Sequence, residues 1–189
     1  MQRICVYCGS SSGNDDRYAD AARELADVLV RHELELVYGG ASVGTMGTLA
    51  DTVLELGGVV HGVIPKMLQE KEIAHAALTE MHVVASMHER KSMMAALSDG
   101  FIALPGGFGT LEELIEILTW GQLRFHDKPC GVLNVKGYFD KLLEYLDHAV
   151  AEGFLRAENR SMLLCDADSV GLIQRFERYA APHIDKWDG

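Results

Sequence analysis

Short, continuously apolar runs alternate with longer amphipathic ones along the chain. Residues 3–8 (RICVYC) read as a buried strand. From Asp15 to His32, Tyr18, Ala22, Leu25, Ala26 and Leu29 recur at three- and four-residue spacing, which predicts a helix. The alternation continues. Strands are predicted at 34–38, 59–64, 81–85, 101–104, 130–135 and 162–165. Helices are predicted at 44–56, 86–98, 110–123, 138–152 and 169–179, with a loop and a short helix over 66–79. Strands that are apolar throughout and separated by helices are those of a parallel sheet covered on both faces. The fold expected is therefore α/β: a Rossmann-like, doubly wound parallel sheet in a three-layer sandwich, with residues 1–189 forming one domain. The tail after Pro182 lies beyond the last element of the pattern.

Composition changes this picture in two ways. The 189 residues carry 28 acidic and 17 basic side chains, a formal charge of −11. Such a surface repels nucleic acid and anionic lipid, so neither is an expected partner. No window approaches the ~18 apolar residues of a membrane span, and no secretory leader opens the chain, so a cytoplasmic location is expected. Cys5 and Cys8 form a C-x-x-C pair, but Cys5 lies inside a strand pattern and no second close pair completes a zinc site. Cys5, Cys8, Cys130 and Cys165 are expected to be reduced thiols. The eight histidines show no H-x-x-x-H or similar spacing, so no metal is expected, and no cofactor.

Glycine is the second departure, at 19 residues, and nine of these fall in three loops at predicted strand ends. The loops are Gly9–Gly13, Gly39–Gly47 and Pro105–Thr110. In open α/β sheets, ligands bind beyond the carboxyl ends of the strands. Glycine lets backbone N–H groups approach an anion, and the helix that follows adds its own free N–H groups and dipole. Ser10, Gly40, Gly44, Gly47, Gly106, Gly107, Gly109 and Thr110 are thus candidate phosphate- or substrate-binding positions. The first loop lacks G-x-G-x-x-G spacing, strand two ends in Tyr38-Gly39 rather than an acidic residue, and no G-K-[ST] occurs. A mononucleotide or sugar phosphate fits these loops better than NAD or ATP.

Two charged clusters adjoin the loops. Thr110 followed by Glu113 has the spacing of a capping box, a purely structural device that accounts for both residues. A carboxylate there could equally face the anomeric carbon of a bound ribose phosphate. Glu112 and Glu113 lie roughly 100° apart around a helix and do not form a facing dyad. His88-Glu89-Arg90-Lys91 is the densest basic point and opens a helix after the fourth strand. It reads either as a solvated helix face or as an anion receptor.

Pro105-Gly106-Gly107-Phe108-Gly109-Thr110-Leu111-Glu112-Glu113 resembles the P-G-G-x-G-T-x-x-E signature of the LOG ("lonely guy") phosphoribohydrolases. Met87-His88-Glu89-Arg90-Lys91 resembles that family's M-H-x-R-K segment, and Gly39–Gly47 its second glycine loop. The resemblance runs from Ile4 to about Phe154. It implies a homodimer that hydrolyses the N-glycosidic bond of adenosine-type nucleoside 5′-monophosphates, cytokinin nucleotides or AMP, to free base and ribose 5-phosphate. It implies that Arg90 and Glu113 are the catalytic pair and that Gly106, Gly107, Gly109 and Thr110 cradle the phosphate. Lys91, Glu72 and Thr119 match further ligand-contacting positions. Met93 departs from the family, where many members carry Glu. The alternative is a non-catalytic nucleotide-binding module; a molybdenum-cofactor carrier resembles the family in fold and phosphate loops. A third label that follows the motif, lysine decarboxylase, would need a pyridoxal-phosphate lysine, for which the sequence offers no context.

Overall fold

A computed structural model describes residues 1–70 and 74–182. Seven strands form a single parallel sheet: β1 (Arg3–Tyr7), β2 (Glu35–Tyr38), β3 (Val60–Pro65), β4 (Glu80–Val84), β5 (Gly100–Ala103), β6 (Cys130–Leu133) and β7 (Leu163–Asp166). Their order is β4-β3-β2-β1-β5-β6-β7. The chain winds outward from β1 to β4, then crosses back to β5 on the other side of β1. The carboxyl ends of β1 and β5 are therefore the topological switch point, where an open sheet leaves a crevice.

The helices are α1 (Asp16–Arg31), α2 (Gly44–Glu55), α3 (Lys66–Gln69), α4 (Met87–Leu97), α5 (Phe108–Gln122), α6 (Asp140–Ala151), α7 (Ala157–Ser161) and α8 (Ser169–Glu177). They cover both faces. On one face α1, α2 and α8 bury Leu25, Leu29, Leu49 and Phe176 against Ile4, Val6 and Leu36. On the other, Met94 of α4, Leu114 and Ile117 of α5, and Leu143 of α6 pack against Cys5, Val37 and Phe101. Every residue of β3, β5 and β6 is buried, as a sheet covered on both faces requires. Strand β4 differs: it is an edge strand and carries the polar residues Glu80 and His82.

All seven predicted strands and all six predicted longer helices are present, with ends shifted by one or two residues. Strand six stops at Leu133 because Val135–Gly137 forms a 3-10 turn, with Lys136 and Gly137 both at positive φ. Helix α7 was not predicted; five residues carry too little apolar periodicity to read. The tail from residue 183 and Glu72 lie outside the described residues. Among the described residues no helix is long and apolar enough to cross a membrane. Leu49 is fully buried in the α1–α2 layer, so Leu49→Ala is expected to cost about 2–5 kcal/mol in a denaturant titration.

Candidate active site

A cleft of about 410 Å³ opens at the β1/β5 switch point, lined by Cys8, Gly9 and Ser10 after β1, Gly39 after β2, and Gly107–Thr110 after β5. Arg90 and Glu113 form part of its polar wall, whereas Ala41, Val43, Met46, Ile64, Leu68 and Phe108 make an apolar one. A second hollow of about 290 Å³ adjoins it, sharing Gly9, Ser10 and Gly107 and lined further by Gly106, Tyr18 and Tyr138.

The loops differ in what their helices leave open. Helix α1 is capped by Asp15, whose carboxylate accepts from the Arg17 N–H and pairs with Arg17 and Lys136. Helix α4 is capped by Ser86, and Glu89 reaches back to the Ala85 N–H. Helices α2 and α5 have no side-chain cap: their N-cap residues are Val43 and Gly107. Apart from the Met46 N–H, which donates to the Gly9 carbonyl at 3.3 Å, their first-turn N–H groups are the ones available to an anion. The capping box expected at Thr110 and Glu113 is therefore absent. Helix α5 begins two residues before Thr110, which puts Thr110 in the first turn and Glu113 a further turn along. A related device appears on α4, where Glu89 reaches past the N-cap Ser86 to the Ala85 N–H and fixes the turn that carries Arg90.

Arg90 Nη2 lies 3.3 Å from Glu113 Oε1, and both side chains are about nine-tenths buried. Burial raises the Glu113 carboxyl above its ordinary value, and neighbouring Glu112 adds to this; the Arg90 guanidinium opposes it without cancelling it. Arg90 Nε is buried without a hydrogen-bond partner among the described residues, so the guanidinium retains an unsatisfied donor. The pair fits only because residue 39 is glycine: a Cβ there would stand 2.0 Å from Arg90 Nη2 and 2.5 Å from the Met46 methyl. A Cβ on Gly106 would similarly stand 2.1 Å from Thr110 Oγ1. Gly107 and Gly109 face open space, which keeps that backbone accessible. Burial pushes the Cys8 thiol in the cleft wall up to about 12, which leaves it without nucleophilic thiolate at neutral pH.

A family model described as "possible lysine decarboxylase" matches residues 46–176. A probable cytokinin riboside 5′-monophosphate phosphoribohydrolase of Oryza sativa subsp. japonica is 51% identical over 181 residues, spanning 96% of this chain and 81% of that protein. Another cytokinin riboside 5′-monophosphate phosphoribohydrolase, of Arabidopsis thaliana, is 51% identical over 95% of this chain and 78% of that protein. The chain belongs to the LOG phosphoribohydrolase family. Its fold is shared with the Moco carrier protein of Chlamydomonas reinhardtii (TM-score 0.69, 22% identity, 94% and 96% of the two chains). The molybdenum cofactor binding protein of Rippkaea orientalis is similar too (TM-score 0.71, 21% identity, 94% and 96%).

Of the candidate site positions, Arg90, Glu113, Gly107, Gly109, Thr110 and Ser10 line the main cleft, and Gly106 lines the adjoining hollow. Gly44 and Gly47 shape the second loop from behind. A Cβ on Gly44, at φ +61°, would stand 2.4 Å from Ser10 C, and one on Gly47 2.3 Å from Ser42 O. Gly40, also at positive φ, packs against Ile64 and Met81. Lys91 does not face the cleft: its ammonium sits between Glu112 and Glu116 and ties α4 to α5. The cleft's positive potential thus rests on Arg90 and two helix N-termini, not on an Arg-Lys pair. Thr119 donates to the Ile115 carbonyl on exposed surface away from the cleft. Met93, the departure from the family pattern, packs against the core on the α4 side. No lysine lines the cleft among the described residues.

Sequence reasoning missed Gly39 as a site residue, because its role is the space it leaves for a side chain fifty-one positions away. It also missed a His61–Glu80–His82 cluster assembled across β3 and β4. The atoms a Cβ at position 39 would strike are the far ends of two flexible side chains. Gly39→Ala is therefore expected to keep the fold but displace the guanidinium, lowering kcat/KM by roughly 10²-fold with little change in Tm.

Proposed function

We propose that this chain hydrolyses the N-glycosidic bond of adenosine-type nucleoside 5′-monophosphates, including cytokinin riboside 5′-monophosphates. Water and nucleotide give free base and ribose 5-phosphate. The observation that carries the reading is the buried Arg90–Glu113 pair set beside an uncapped glycine-rich helix start, in a chain half identical to phosphoribohydrolases.

The phosphate is bound by the N–H groups at the start of α5, through Gly106, Gly107, Gly109 and Thr110. Ribose then lies over the Arg90–Glu113 wall, and the base lies against the apolar wall that includes Met46 and Phe108. As the C1′–N bond lengthens, positive charge develops on the ribose, and the ionised Glu113 carboxylate stabilises it and directs water to C1′. Arg90 holds Glu113 in place and presents its guanidinium to the substrate. The base departs with a proton from solvent. The binding-module alternative is disfavoured because both members of the pair are present and the carrier proteins are similar only at fold level.

The chain acts as one domain spanning residues 1–189 and as a homodimer, without a cofactor, in the cytoplasm. Assembly is supported by Phe108 and Phe154, which are 94% and 90% exposed, and by Thr119 lying outside its own chain's cleft. The cytoplasmic reading is supported by four free cysteines.

Glu113→Ala and Arg90→Ala are each expected to lower the rate of base release from AMP and from isopentenyladenosine monophosphate by orders of magnitude, read by chromatography of the freed base. Hydrolysis surviving both substitutions would sink the assignment. The pH profile gives a second test. Activity needs Glu113 ionised, so the acidic limb of kcat/KM should fall above the ordinary carboxylate value of 4.5. Because the folded chain binds that proton more tightly than the unfolded one, stability falls as pH rises through the raised pKa. Glu113→Gln should therefore abolish turnover at neutral pH without lowering Tm, which a purely structural carboxylate would not do.

A further inference from the structure

At the opposite ends of the strands from the cleft, a polar chain crosses one face of the sheet. Arg3 of β1 donates to Glu35 of β2 at 2.6 Å. Glu35 Oε2 lies 2.8 Å from His61 Nε2 on β3. His61 Nδ1 lies 3.1 Å from Glu80 Oε2 on β4, and Glu80 Oε1 lies 3.5 Å from His82 Nε2. The register explains the assembly: His61 sits opposite Glu80, and His82, two residues on, returns to the same face.

We propose that His61 Nδ1, the Glu80 carboxylate and His82 Nε2 bind a divalent transition-metal ion of the zinc class. The ligand atoms lie within 4.8 Å of one another. Zn–N bonds of about 2.0–2.1 Å place tetrahedral ligand atoms roughly 3.3 Å apart. The two rings approach that spacing from different oxygens of the Glu80 carboxylate, 3.1 Å at Oε2 and 3.5 Å at Oε1, so side-chain rotation must gather one oxygen and both rings around the ion. Two further observations point to an ion rather than to a simple polar cluster. His82 Nε2 is buried and, despite its approach to Glu80, makes no hydrogen bond, so a ring nitrogen is left over at the centre of the set. The other nitrogen of His61 is held by Glu35, itself braced by Arg3. That carboxylate–histidine arrangement orients a metal-binding imidazole and fixes which nitrogen is free to ligate. His61 is buried, with its side chain 7% exposed, so the first ligand is preorganised by the sheet.

With Nε2–H donating to Glu35, Nδ1 is the ring nitrogen left to ligate the ion. Two histidines and a carboxylate suit Zn²⁺ and leave one tetrahedral position for water. The ion would clamp edge strand β4 to β3. Its site is remote from Arg90 and Glu113, so hydrolysis does not depend on it.

The test is Zn²⁺ titration of the chelator-treated full chain by calorimetry, with Co²⁺ as a spectroscopic probe. One ion per chain is expected, with visible four-coordinate Co²⁺ bands and a raised Tm. Glu35→Gln should weaken binding about 10–100-fold without changing stoichiometry, and His82→Ala should weaken it by more than about 100-fold. Glu80→Gln, at a half-exposed position, provides a second ligand variant. Nucleotide hydrolysis by His82→Ala should equal that of the parent. Zinc binding to the parent no tighter than to His82→Ala and Glu80→Gln overturns the site.

Discussion

A cation and an anion buried together at the mouth of a parallel sheet set the terms for the rest of the site. Taking Arg90 and Glu113 out of water is expensive, and a single contact at 3.3 Å does not offset that cost. The pair is held by its surroundings. Ser86 and Glu89 fix the start of α4 and so the position of Arg90, while Lys91 between Glu112 and Glu116 clamps α4 to the helix that carries Glu113. The leftover Arg90 Nε and the raised Glu113 carboxyl are the parts of that cost that remain unrelieved. Such unrelieved polarity concentrates where a ligand will be handled.

The glycines serve this arrangement in two distinct ways. Gly39, Gly44, Gly47 and Gly106 leave room for neighbours that would otherwise collide, including the guanidinium and the first loop's backbone. Gly107 and Gly109 have nothing near their missing side chains and instead expose the chain itself. The first kind shapes the cleft; the second makes its floor available. The acidic surface is compatible with an anionic ligand because the local field comes from backbone dipoles and one arginine.

Much of this was legible in the sequence. Continuous apolar runs such as 101–104 and 130–133 told of a parallel sheet because burial on both faces leaves no alternation to read. The switch point then followed from strand ends rich in glycine. What could not be read was geometry that crosses the chain. The Thr110–Glu113 spacing fits a capping box as well as it fits a site, and only the true start of α5 at Phe108 separates the two. Lys91 looked like a free cation because its partners lie on another helix, and Thr119 matched a motif without reaching its own chain's cleft. His61, Glu80 and His82 share a face only through the β3–β4 register, which no local spacing encodes.

The missing caps on α2 and α5 have a consequence for the protein as a cellular component. Both helices are left without side-chain caps at their N-termini, although in α2 the Met46 N–H is taken by the Gly9 carbonyl, so α5 is the more open of the two to an anion. In the proposed binding mode a phosphate would act as the cap for α5, so that binding and folding would share one free energy. A nucleotide present at a hundred times its Kd would add about 2.7 kcal/mol to the stability of the chain. The lifetime of the protein would thus track the supply of its own substrate, with the idle molecule the first to unfold.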